Sequence, residues 1–114
     1  MTNRAEQFRK EREMQNEKIL AAGSKNIQRF FALDTGVYRA GALPVKTKEM
    51  MGLVASLVLR CDDCTTYHIL RCVEEGVTKA EMVEAMEIGL VIGGSIVIPH
   101  LRRAYALLEE TDIS

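Results

Sequence analysis

The chain has no tryptophan, only two prolines, and aromatic residues make up 5% of its 114 positions. A surface that stacks nucleic-acid bases needs aromatics, and one that tracks phosphates needs a basic surplus. Here fifteen Lys and Arg face sixteen Asp and Glu, for a net charge of −1. Nucleic acid is therefore not an expected partner. Long hydrophobic runs are also missing. The longest, from Ile88 to Ile98, is eleven residues broken by three glycines and Ser95, whereas a membrane span needs roughly 20. The N-terminus leads straight into charged residues rather than an apolar stretch, so no secretory leader and no membrane are expected, and the cytoplasm is the expected compartment. Three cysteines are too few and odd in number for a disulfide-stapled scaffold. In a reducing compartment, a close pair of them points to catalysis or metal rather than to a staple.

What is present is helical spacing. Strand-like alternation does not occur, and no repeat or low-complexity tract interrupts the chain. Residues 3 to 22 are rich in Arg, Glu, Gln and Lys, good helix formers, with a ragged apolar stripe at Ala5, Phe8, Met14, Ile19 and Leu20. That pattern fits a solvated helix or an arm that clasps a neighbouring subunit, and residues 1–24 are set apart on this ground. Residues 25–114 form the expected domain. Ile27, Phe30, Phe31 and Tyr38 mark a helix over 25–38. Thr47 offers an N-cap for a buried helix carrying Met50, Leu53, Val54, Leu57 and Val58 and ending near Arg60. A fourth helix is expected from Asp62 or Asp63 to Glu75, with Gly76 as its left-handed stop. Thr78-Lys79-Ala80-Glu81 has the form of a capping box. It opens a mostly buried helix with Met82, Met86, Ile88, Leu90 and Ile92, ended by Gly93-Gly94. A last helix covers Ser95 to Glu110, where Pro99 is tolerated only near the first turn. The expected fold class is all-α, a single-domain helical bundle of about six helices.

The chemistry concentrates in Cys61-Asp62-Asp63-Cys64-Thr65-Thr66-Tyr67-His68. A C-x-x-C pair at a loop-to-helix junction lets two sulfurs meet, and the helix start favours a thiolate on the second. His68 lies four residues after Cys64, on the same face and one turn away, where an imidazole can take the Cys64 proton. Asp62 and Asp63 oppose the thiolate by charge. A metal site is the competing reading of Cys61, Cys64, His68 and Cys72. However, Cys64 and Cys72 lie about 12 Å apart along a straight helix, too far for ligand bonds of about 2.0–2.3 Å to one zinc. Three ligands joined by Glu49 or His100 remain open. Cys72 is expected to be a small core residue, His100 a structural histidine and Tyr67 a packing residue. Glu49 follows Thr47 closely. It either complements the helix dipole or, beside the small and apolar Gly52, Leu53 and Ser56, faces inward to orient His68.

Glu49, eleven residues, Cys61, two, Cys64, three and His68 read as E-x11-C-x2-C-x3-H. This resembles the motif of alkylhydroperoxidase D-like proteins in the carboxymuconolactone decarboxylase superfamily, and the likeness covers about residues 28 to 110. Lys46-Thr47-Lys48-Glu49 and Gly76-Val77-Thr78 resemble the family as well. The resemblance implies an all-α fold that assembles as trimers or hexamers. It implies a catalytic set of Glu49, Cys61, Cys64 and His68: Cys64 attacks a hydroperoxide and becomes a sulfenic acid, Cys61 resolves it as a disulfide, and His68 with Glu49 relays the proton. The implied activity is that of a thiol-dependent peroxidase or thiol–disulfide oxidoreductase. It acts on a hydroperoxide or disulfide, is recharged by a dithiol or lipoyl-type reductant, and uses no bound cofactor or metal. The alternatives are lactone decarboxylation, with His68 and Glu49 as acid and base, and a non-catalytic metal-binding module. Two departures stand out: Asp63 occupies the place of a relay histidine in the peroxidase branch, and the chain holds one copy of the domain rather than two.

Overall fold

The computed structural model describes residues 3–111. Six α-helices follow one another: α1 (Arg4–Ala21), α2 (Lys25–Val37), α3 (Val45–Leu59), α4 (Asp62–Glu74), α5 (Lys79–Gly93) and α6 (Ile98–Glu110), with one 3₁₀ turn, Ser95–Val97, before the last. No strand occurs among the described residues. The fold is the expected all-α bundle.

Helix ends follow local chemistry. Asn3 accepts from the Glu6 N–H at 2.8 Å and opens α1. Thr78 and Glu81 exchange reciprocal bonds of 3.1 and 2.9 Å, completing the capping box that opens α5. Gly76, at φ +81°, ends α4 in the left-handed region that glycine enters without a steric cost. Thr47 does not cap α3. Pro44 takes that place with ψ 160° and α3 begins at Val45, because a residue without an N–H fits a helix start, where that donor has no partner. Thr47 then sits inside the first turn.

α3 is the centre of the bundle, packed between α4 and α5, and α6 closes over α4. Leu53 and Leu57 of α3, Ile69 and Cys72 of α4, Met82 and Met86 of α5 and Leu108 of α6 are all buried. Gly89 permits the close approach of α5 to α3: a Cβ there falls 3.3 Å from the Leu57 Cβ. α1 lies against the same chain. Ala5 is buried, Phe8 packs on the core, and Arg4 pairs with Glu110 of α6 at 3.2 Å.

One burial expectation fails. α5 turns Met82, Met86 and Gly89 inward, a spacing of four and three residues that leaves Ile88 and Ile92 at the side of that stripe, along the groove between α3 and α5. Both are more than half exposed, as are Met51 and Leu59 of α3. Substitution Thr78→Ala removes an exposed cap without touching the core and is expected to lower unfolding stability by about 1 kcal/mol. Urea unfolding checks this; an unchanged midpoint means that the capping box contributes nothing.

Candidate functional site

α3 ends on Arg60, whose φ of 60° and ψ of 40° are left-handed. The reversal is tight: the Cys61 N–H bonds back to the Ser56 carbonyl at 3.1 Å. Cys61 thereby becomes the N-cap of α4, and its sulfur accepts from the Cys64 N–H at 3.3 Å. Cys64 is the third residue of α4 and is exposed. The two sulfurs are joined as a disulfide across a Cα–Cα distance of 5.3 Å. In the dithiol state the same N–H groups and helix dipole favour negative charge on sulfur.

One turn on, His68 is buried against α3. Its Nδ1 lies 2.8 Å from Glu49 Oε1. Glu49 is 1% exposed, a carboxylate within the core. Such a charge is sustained only by close partners, and Glu49 has two: His68 on one oxygen and Arg71 Nε, donating to the other at 3.3 Å. Arg71 also donates to Glu74 and Glu75. The bond to Glu74 and the surrounding carboxylates push its ionisation further up, so it stays cationic. An ionised Glu49 takes the Nδ1–H of His68 and leaves Nε2 as the basic nitrogen. Nε2 lies 3.4 Å from the Tyr38 hydroxyl.

The imidazole lies in a tight slot. A Cβ on Gly52 falls 2.6 Å from His68 Cε1 and 2.8 Å from Nδ1, closer than real contacts. Outside it, α1, α2 and the start of α4 enclose a cleft of about 540 Å³, lined by Phe8, Arg12, Phe31, Asp63, Cys64 and His68 among others. Tyr67 is part of that wall rather than a simple packing residue. Its ring stands edge-on to His68 at 5.1 Å, with the Arg12 guanidinium 4.0 Å above it.

The acidic pair inside C-x-x-C divides. Asp62 pairs outward with His100 Nδ1 at 2.8 Å and Arg103 at 3.2 Å on α6, which offsets its charge. Asp63 remains at the cleft wall. His100 is thus held by its bond to Asp62, and Cys72 is a core residue with no exposed surface. Burial, then the Glu49 carboxylate, push the Cys72 thiol up to about 12. No group of three or more His, Cys, Asp or Glu side chains among the described residues is placed to hold a metal ion.

Glu49 and His68 are therefore bonded, Cys61 and Cys64 are bonded, and Cys64 and His68 line one cleft. Three further residues belong to the arrangement and are not evident from motif spacing. Arg71 lies three residues beyond His68, a helical neighbour that the i, i+3 rule identifies once Glu49 is known to be inside. Gly52 makes room for the ring. Tyr38 comes from α2, thirty residues from His68, and no local pattern links the two.

A helical bundle with a cysteine pair heading one helix and a Glu–His pair behind it defines the class. A family model described as "Carboxymuconolactone decarboxylase family" matches residues 26–109, and the chain belongs to that family. Two crystal structures of a Thermotoga maritima protein resemble it throughout. One has 61% identity and a TM-score of 0.90 over 92% of each chain. The other has 60% identity and a TM-score of 0.88 over 92% of this chain and 89% of that one. The second is described as a carboxymuconolactone decarboxylase family protein and linked, as a candidate, to an antioxidative response. A family member from Legionella pneumophila shares the fold at 22% identity, with a TM-score of 0.85 over 96% and 97% of the two chains. "Uncharacterized protein 4 in cox locus" of Paracoccus denitrificans is 29% identical over 91 residues, 80% of this chain and 82% of that one.

Two outcomes follow. In the reduced protein, iodoacetamide is expected to label two thiols and spare Cys72 from pH 7 to 10, because a thiol raised to about 12 stays protonated below that value. Mass spectrometry showing native-state labelling of Cys72 contradicts this. Gly52→Ala is expected to drive the His68 ring out of its slot and slow Cys64 alkylation, at a cost of about 1–3 kcal/mol in stability. Unchanged rate and stability contradict it.

Proposed function

We propose that this chain is a thiol-dependent peroxidase or thiol–disulfide oxidoreductase, in which Cys64 is the nucleophile, Cys61 the resolving thiol, His68 the base and Glu49 the relay. The observation that carries this reading is the Cys61–Cys64 disulfide at the start of α4, one turn from an imidazole whose far nitrogen is fixed by a buried carboxylate. The description of the Thermotoga relative as a candidate in an antioxidative response agrees with it.

With a hydroperoxide the cycle balances as follows. The Cys64 proton passes to His68 Nε2, directly or through one water. The thiolate attacks the terminal peroxide oxygen, the O–O bond breaks, and Cys64 becomes a sulfenic acid. The departing alkoxide takes the proton back from His68 and leaves as an alcohol. The Cys61 sulfur then attacks the Cys64 sulfur, the disulfide forms, and hydroxide leaves with the Cys61 proton as water. With a disulfide substrate, the Cys64 thiolate attacks sulfur and Cys61 resolves the mixed disulfide. An external dithiol, of protein or lipoyl type, returns the pair to two thiols. A reducing cytoplasm supplies such reductants; no helix among the described residues is long and apolar enough to cross a membrane.

The family name favours a second reading, lactone decarboxylation with His68 and Glu49 as acid and base. It needs neither sulfur, so activity that survives the double change Cys61→Ser, Cys64→Ser supports it.

The chain is also proposed to act as a homo-oligomer, a trimer or hexamer. Met51, Leu59, Ile88 and Ile92 are each more than half exposed, and they line an apolar groove of about 890 Å³ between α3 and α5. An apolar face of this kind marks an interaction surface. Light scattering at micromolar concentration is expected to give three or six chains, and a monomer refutes the assembly.

The activity test is stopped-flow oxidation of the reduced protein by a small alkyl hydroperoxide. Two thiols are expected to vanish with formation of the Cys61–Cys64 bridge. Cys64→Ser is expected to abolish the reaction and His68→Gln to slow it by about 10²-fold or more. Oxidation by a disulfide alone narrows the reading to thiol–disulfide exchange, and inertness to both overturns it.

A further inference from the structure

Tyr38 caps α2 and stands at the Nε2 end of His68, away from the Nδ1 that Glu49 bonds. Its ring centroid is 5.4 Å from that of the imidazole, and its hydroxyl is 3.4 Å from Nε2. The position is built. Lys48 Nζ donates to the Val37 carbonyl at 2.8 Å and to the Arg39 carbonyl at 2.7 Å, one on each side of Tyr38. Lys48 directly precedes Glu49 in α3. One turn of α3 therefore supplies the carboxylate behind Nδ1 and the ammonium that holds the phenol in front of Nε2.

The direction of the phenol bond follows from charge. Glu49 uses the Nδ1–H, so Nε2 offers a lone pair and the phenol must donate. Burial, then the carboxylates of Glu49 and Asp34, raise the ionisation of Tyr38 above its ordinary value, so the donor persists at neutral and mildly alkaline pH. The other groups around the imidazole come from four elements. α3 presents Glu49; α4 presents Arg71, Asp63, Cys64 and Tyr67; α1 presents Glu11 and Arg12, and α2 presents Asp34, at the cleft. Tyr38 is the neutral donor bonded to Nε2 itself.

We propose that Tyr38 is a positioning residue that bonds Nε2 of His68 and keeps the imidazole in its Nδ1–H form until a proton arrives from Cys64. The phenol must release Nε2 when that proton is taken. A hydrogen bond made only to the neutral imidazole opposes its protonation. With Tyr38→Phe, which keeps the ring and its packing, His68 is protonated more readily.

The rate readout rests on the proposed thiol chemistry, but the spectrum does not. Nitrogen NMR of His68 is expected to show a protonated Nδ1 and a hydrogen-bonded acceptor Nε2 in the native chain. In Tyr38→Phe the Nε2 resonance is expected to move toward that of an unbonded lone pair. The acid limb of the Cys64 oxidation rate is expected to move to about 2- to 10-fold lower proton concentration, the worth of one such bond, with cooperative thermal unfolding retained. An Nε2 resonance identical in the two proteins, or an acid limb that does not move, overturns the proposal. If no oxidant consumes the thiols, the function assigned above fails, and the Nε2 resonance alone still decides the role of Tyr38.

Discussion

A carboxylate with almost no exposed surface hydrogen-bonds a buried imidazole, and much of this structure is arranged around that contact. An isolated carboxylate in a core is costly by several kcal/mol, so Glu49 needs a partner on each oxygen. His68 and Arg71 provide them from the same face of α4. Arg71 carries one charge among three carboxylates, which ties Glu49 to Glu74 and Glu75 at the protein surface. The packing of α3 on α4 is thus fixed by ionic as well as apolar contacts. Gly52 is the steric counterpart, since the ring stands where any side chain on that residue would be.

From that contact outward, each residue is set by the one behind it. Arg71 and His68 each bond one oxygen of Glu49, Glu49 orients the imidazole through Nδ1, and Nε2 lies beside the Tyr38 hydroxyl. The cysteine pair is placed independently, by the reversal at Arg60 and the capping of α4 by Cys61. The two constructions meet because α4 carries both, with Cys64 in its first turn and His68 in its second. The charge that opposes a thiolate is partly removed by α6, where His100 and Arg103 turn Asp62 away.

Most of the fold was legible in the sequence because its signals are local. The capping box at Thr78, the stop at Gly76 and the helix junction at Cys61 each depend on residues within four positions of one another. The four motif residues were legible for a similar reason, since three lie in one short segment and Glu49 stands at a family spacing. What stayed hidden depends on distant segments. The contact of Tyr38 with His68 is made only when the end of α2 comes beside α4, and periodicity says nothing about it. Thr47 offered a cap, but Pro44 starts the helix one turn earlier. Ile88 and Ile92 fitted a buried helix by composition. Gly89 shows why they are outside: α5 approaches α3 through a glycine, which fixes the inward face and leaves the branched residues at its flank.

The central claim is that Glu49, through His68, activates Cys64. The most direct measurement is the alkylation rate of Cys64 by uncharged iodoacetamide in the reduced native chain and in Glu49→Gln, with cooperative thermal unfolding confirmed for both. The account predicts that Cys64 reacts at least about 10-fold more slowly in Glu49→Gln, as expected when a positioned base loses its orienting partner. Equal rates in two folded proteins contradict it, and leave the Glu49–His68 pair as a structural feature of the core.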